Sequence, residues 1–197
     1  MTNHDANRLF PVFFKLENLH TLIVGGGNVG LEKLEAILRN SPNAPITLVA
    51  TQIKEEIKKI AQQKSNLNLL ERPFCYTDLE GKDLVILATN DRHLHRCIKA
   101  MTSRMHLMTN VADTPELCDF YLSSIVQKGN LKIAISTNGK SPTIAKRIRE
   151  LLEEVIPDSF DEILEKMVEI RKRLKGDFRY KVEKLNEITT EYLKKES

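Results

Sequence analysis

Apolar residues recur along this chain in two alternating rhythms. Short continuous runs near 20–24, 46–50, 67–71, 84–88 and 107–111 alternate with stretches of helical period over 28–39, 52–63 and 92–104, the grammar of parallel β-α-β units. The run Leu84-Val85-Ile86-Leu87-Ala88 is apolar throughout, as expected of a strand covered on both faces. After Asp113 the rhythm changes. Tyr121–Val126 and Leu131–Ser136 read as two strands joined by Gln127-Lys128-Gly129-Asn130, an antiparallel hairpin. Ser141-Pro142 then opens a helix, with Ser as N-cap and Pro at the first helical position, and Ile144, Ile148, Leu151, Leu152 and Val155 form one apolar stripe along it. Pro157 ends that pattern, and two charged helices separated by Lys175-Gly176-Asp177 follow.

This pattern predicts an α/β fold: a Rossmann-type doubly wound parallel sheet over 1–112, a small hairpin segment over 113–150 and a C-terminal helical module over 151–197. A hairpin and one amphipathic helix make a poor core alone, so the segment after Asp113 is expected to bury against a second copy as a homodimer.

Composition narrows the class. The 30 basic and 27 acidic residues leave a formal charge of +3 on a mixed surface, with no aromatic signature for reading RNA, so nucleic acid is not implied. Three cysteines, Cys75, Cys97 and Cys118, are odd in number and far apart, which argues against a disulfide framework and for a reducing, cytoplasmic setting. No apolar run approaches the length of a membrane span, and the N-terminus lacks the pattern of an export signal, so no membrane role is expected.

The chemistry concentrates where the first strand ends. Gly25-Gly26-Gly27-Asn28-Val29-Gly30 is a G-x-G-x-x-G between a strand and a helix. Gly25 suits a tight turn, Gly27 lets the backbone approach a pyrophosphate, and Gly30 lets helix and strand pack closely, while the helix N-terminus attracts phosphate charge. The acid usually found at the end of the second strand is missing: Ala50-Thr51-Gln52 stand there. No arginine cluster replaces it, and Lys54, the nearby cation, reads as a solvated helix residue. Thr89, Asn90 and Asp91 end the fourth strand, where they can touch a cofactor; Asn90 and Asp91 equally suit a helix cap. Asp113 can take a proton beside a bound cofactor or orient a substrate, or can simply shape the Asp-Thr-Pro turn. Ser136, Thr137, Asn138, Gly139, Lys140 and Ser141 form a polar loop opening on a helix N-terminus, suited to anions, while Ser141 also suits a plain cap. With Lys146, Arg147 and Arg149, Lys140 makes either an anion-steering patch or an ordinary solvated face. His93 and His95 lie two apart, not at the i, i+4 spacing of a zinc site, so no metal ligand set is expected.

Four segments in one order resemble the precorrin-2 dehydrogenase family, the N-terminal part of siroheme synthases, some members of which are also sirohydrochlorin ferrochelatases. They are LFPVFFKLENLHTLIVGGGNVGLEKL, Leu87-Ala88-Thr89-Asn90-Asp91, Asn110-Val111-Ala112-Asp113 with Cys118-Asp119-Phe120, and Ile135 to Pro142, over roughly residues 8–170. The resemblance implies NAD as hydride acceptor, oxidation of the octacarboxylate precorrin-2 to sirohydrochlorin, and a homodimer interlocked through the segment after Asp113. It places the family's functional aspartate on Asp113 and carries an open question of whether ferrous iron is also inserted. A non-catalytic NAD-binding sensor on the same domain is the rival from another class.

Overall fold

Five parallel strands form the first sheet: β1 (Thr21–Gly26), β2 (Ile46–Ile53), β3 (Leu67–Glu71), β4 (Leu84–Leu87) and β5 (Met108–Val111), in the order β3-β2-β1-β4-β5. The structure is a computed structural model that describes residues 7–195, with side chains to 190; His4 and the ends of the chain lie outside the described residues. Helices α1 (Asn28–Asn40), α2 (Glu55–Gln62) and α3 (Arg92–Arg104) cross between the strands. Alternate residues along the strands feed two cores, one on each face. Ile23, Ile46, Leu48 and Ile86 pack with Leu34, Ile37 and Ile57 of α1 and α2. Leu22, Val24, Val85 and Leu87 pack with Ile98 of α3. All four β4 residues are buried, as their continuous apolar run requires.

The sheet order reverses between β1 and β4, so the loops after these two strands diverge and leave a crevice at the carboxyl edge. That edge differs locally from the sequence expectation. β2 runs on to Ile53, and α2 starts at Glu55 rather than near 52. A register shift after Val24 pairs Gly26 with Ile53, the Lys54 N–H donates to the Gly26 carbonyl, and the Glu71 carboxylate accepts from the Ile53 N–H. These bonds hold as strand a stretch whose periodicity also fits a helix.

This first compact unit spans Arg8–Leu122. It reaches past Ala112 because residues 118–120 return to β5: the Asp119 N–H donates to the Thr109 carbonyl, the Thr109 N–H to the Asp119 carboxylate, and the Asn110 side-chain amide to the Phe120 carbonyl.

The second unit holds Asn7 and the chain from Ser123. It contains the hairpin β6 (Ser124–Lys128) and β7 (Leu131–Ile135), then α4 (Pro142–Val155), α5 (Phe160–Arg173) and α6 (Phe178–Lys195). The hairpin turn is tighter than expected. Lys128 pairs with Leu131, leaving Gly129 and Asn130 to turn the chain, with Gly129 at φ +54° and the Asp161 carboxylate accepting from both nitrogens of Asn130. Among the described residues of this unit only Val126 and Ala145 are buried. The expected stripe of α4 is largely uncovered: Ile144 is 56%, Leu151 57% and Val155 68% exposed.

Candidate nucleotide site

A cleft of about 830 Å³ opens at the carboxyl edge, lined by Gly25 to Val29, Val49 to Lys54, Pro73, Phe74, Ala88 to Asp91 and Leu94. The glycines of the loop between β1 and α1 have separable causes. Gly25 sits at φ +123°, and a Cβ there would strike the Ala88 backbone, so the turn itself demands glycine. A Cβ on Gly30 would run into the Gly25 carbonyl, which lets α1 start hard against the strand end. Gly27 is different. Its φ is −85°, open to any residue, and a Cβ there meets nothing within 4 Å. The fold has no need of glycine at this position, whereas a group lying on the backbone would.

Gly27 is also the N-cap of α1, without a side-chain cap, and the first turn holds no acid. Uncapped N–H groups with the positive end of the helix dipole form an anion site. The residues therefore fit a pyrophosphate. Asn28 also acts through its side chain, whose Oδ1 accepts from Lys54 Nζ at 2.7 Å and ties α1 to the end of β2. Lys54 is thus the N-cap position of α2 and a cleft residue, not the solvated helix residue its neighbourhood suggests. Glu56 also pairs with it at 3.3 Å.

Across the cleft, Thr89, Asn90 and Asp91 follow β4. The Asp91 Oδ1 accepts from the N–H groups of His93 and Leu94, both at 2.9 Å, capping α3. The Leu94 bond, followed by that of His93, holds its carboxyl below the usual range. The Thr89 hydroxyl contacts both His95 and the Asp91 N–H. Sequence reasoning weighed His95 only as a metal ligand; here the ring is buried behind Thr89. Pro73 and Phe74 were also missed. Their loop is held by an ion pair with one buried end, in which the buried Asp78 carboxylate accepts from both terminal nitrogens of the exposed Arg72 and from the Cys75 N–H. The arginine holds Asp78 below the usual carboxylate range. No periodicity signals such a loop, although an Arg and an Asp flanking a Pro-Phe were visible in the chain.

Asp113 does not line the cleft but stands on the same edge, after β5, exposed and at φ +55°. Its corner is clamped by Cys118, whose Sγ lies 3.2 Å from both N and O of Val111. Burial, first, pushes the Cys118 thiol up.

In the second unit, Ser136 to Ser141 close on themselves. Thr137 Oγ1 donates to the Ser141 carbonyl and accepts from its N–H, while Ser141 caps α4 through Ile144 N–H. Asn138 and Gly139 are both left-handed, at φ +55° and +73°. Arg147 and Arg149 are paired with Glu150 and Glu153 along α4, which tempers any steering patch. Among the described residues no group of three or more His, Cys, Asp or Glu is placed to hold a metal, and no helix is long and apolar enough to cross a membrane.

A doubly wound sheet with a glycine turn, an uncapped helix N-terminus and a cleft at the strand reversal defines a dinucleotide-binding domain of the Rossmann type. The chain belongs to the family described as "Putative NAD(P)-binding", which matches residues 12–124, and residues 128–154 match the family described as "Sirohaem biosynthesis protein central". It is 35% identical over 173 residues to siroheme synthase of Psychrobacter arcticus, covering 88% of this chain and 30% of that one. It is 34% identical over 165 residues to siroheme synthase of Methylococcus capsulatus, covering 84% and 34%. The chain thus spans about a third of the length of these relatives. A solved structure of SirC, precorrin-2 dehydrogenase, superposes with a TM-score of 0.72 at 26% identity, over 91% of this chain and 89% of that one.

Proposed function

We propose that this chain is a cytoplasmic, NAD-dependent precorrin-2 dehydrogenase that forms sirohydrochlorin as a homodimer. The observation that carries the nucleotide half is Gly27, a glycine the fold does not need, at an uncapped helix N-terminus. The substrate half rests on likeness to SirC over nearly its whole length and to siroheme synthases.

In this reading Gly25 to Gly30 cradle the pyrophosphate, Asn28 and Val29 contribute first-turn N–H groups, and Thr89 and Asn90 touch the cofactor from β4. Asp91 contributes by fixing the start of α3. NAD, when bound, supplies the hydride acceptor. Oxidation of the macrocycle releases a hydride and a proton, and Asp113 is the carboxylate that takes the proton or holds the ring in register. With Lys140, the loop from Ser136 to Ser141, which leads into the N-terminus of α4, receives substrate carboxylates. The uncovered face of α4 is the surface for a second copy. Three free cysteines agree with a reducing compartment.

The test is anaerobic incubation of precorrin-2 with NAD and the protein. Sirohydrochlorin and NADH should appear in equal amounts. NAD binding without turnover would leave a nucleotide-binding sensor in place of the enzyme.

A further inference from the structure

Thr89 lines the cleft at the end of β4, and its Oγ1 lies 2.9 Å from His95 Nε2 and 3.3 Å from the backbone nitrogen of Asp91. A backbone N–H only donates, so Asp91 occupies one acceptor position of the hydroxyl. The histidine contact runs in either direction, and the far ring nitrogen decides which. His95 is 2% exposed, and its Nδ1 is buried with no hydrogen-bond partner. If Thr89 donated to Nε2, the ring proton would sit on Nδ1 as a buried N–H without an acceptor, a rare and costly arrangement. With the proton on Nε2, Nδ1 retains only an unshared lone pair. A doubly protonated ring is disfavoured as well, because burial pushes its pKa down against the weaker opposing pull of Asp91.

We infer that His95 is a positioning residue: its Nε2–H and the Asp91 N–H fill both acceptor positions of the Thr89 hydroxyl and commit the Thr89 O–H as a donor into the cleft. The partner that suits it is an oxygen acceptor of the bound dinucleotide, while a donor group presented there is rejected. The inference rests on the nucleotide reading of the cleft. It adds to that reading a polarity, set by a residue that does not line the cleft.

The tautomer is measurable on the ligand-free wild type from the two ring ¹⁵N shifts of His95. We expect a protonated Nε2 and an unprotonated Nδ1. NAD titrations supply the second readout. His95→Leu and Thr89→Val should each weaken binding by about 3- to 10-fold, the worth of one hydrogen bond. The double variant should bind no worse than Thr89→Val alone, and His95→Gln, whose amide nitrogen reaches the place of Nε2, should restore most of the loss. A purely structural histidine would give additive losses and no rescue. A proton on Nδ1, or additive losses, with NAD binding intact in the wild type, would overturn this inference alone. Absence of NAD binding to the wild type would overturn the nucleotide reading and this inference with it. Because the tautomer is read on the wild type, the outcome stands even where a buried substitution unfolds the chain.

Discussion

The missing side chain of Gly30 lies against the carbonyl of Gly25, so the first and last glycines of the loop are one packing unit. Gly27 stands outside it. Gly25→Ala should therefore cost about 1–3 kcal/mol from its strained φ alone, and Gly30→Ala should lower the melting temperature too. Gly27→Val should cost at most about 1 kcal/mol, as a poorer helix cap, yet abolish NAD binding. Calorimetry and thermal melts on the three variants check this. A folded Gly27→Val that binds NAD like the wild type would remove the pyrophosphate from this loop.

The parallel sheet was legible in the chain because its strands are buried on both faces and its helices on one, so the two periods stand apart. The tight turn at Gly25 and the close packing at Gly30 were legible from the spacing of the glycine motif between strand and helix. What escaped depends on particular side-chain and strand-end contacts, some between strands and some only six residues apart, that periodicity does not encode. The end of β2 is set by Gly26 and Glu71, from two other strands. Lys54 owes its place in the cleft to Asn28, and the Phe74 loop owes its shape to Asp78. His95 could be placed on a helix but not against Thr89, because only the crossover from β4 to α3 brings them together. The stripe of α4 was legible as apolar, but periodicity does not tell which part the hairpin covers.

Cofactor choice turns on Lys54. It is the only cation lining the cleft among the described residues, and Asn28 and Glu56 already engage its ammonium. A 2′-phosphate would have to compete with both. NAD should thus bind more tightly than NADP when the two are titrated under identical salt; equal or tighter binding of NADP would overturn the preference.

The Arg72–Asp78 pair makes stability depend on acid. Asp78 has its folded pKa depressed, first by Arg72, so its contribution is fully present above the ordinary carboxylate pKa and is lost as pH falls through the folded value. Asp78→Asn should lower stability at neutral pH by about 1.5–3 kcal/mol, the worth of hydrogen bonds to a charged group. The variant should also lose less stability than the wild type as pH drops below about 4. Urea titrations across pH measure both slopes, and parallel slopes would show that Asp78 is not the titrating group.

Ile144, Ile148, Leu151 and Val155 lie on one uncovered face of α4, while Ala145 is buried beneath it. With so small a core, the unit should gain its stability from a second copy. Wild type should sediment as a dimer at micromolar concentration. Leu151→Glu with Val155→Lys should sediment as a monomer with its sheet domain still folded by circular dichroism. A monomeric wild type would contradict the second-copy assignment.

Asp113 combines exposure, a left-handed φ of +55° and a place on the carboxyl edge beside β4. Glycine adopts that backbone without strain, and alanine does so at a cost of roughly 1–2 kcal/mol. Stability and activity should then rank the variants differently. Asp113→Gly should melt at or above the wild-type temperature and Asp113→Ala below it, because the turn alone decides. For precorrin-2 oxidation, loss of one acid-base group typically costs about 10² to 10⁴ in rate, so Asp113→Asn, →Gly and →Ala should all fall by that order. NAD affinity should be unchanged in all three, since the glycine loop is untouched and Asp113 lies outside the cleft lining. Full turnover by Asp113→Asn would refute the proton-transfer role. A lower melting temperature for Asp113→Gly would show that the aspartate is held by contacts rather than tolerated for its chemistry.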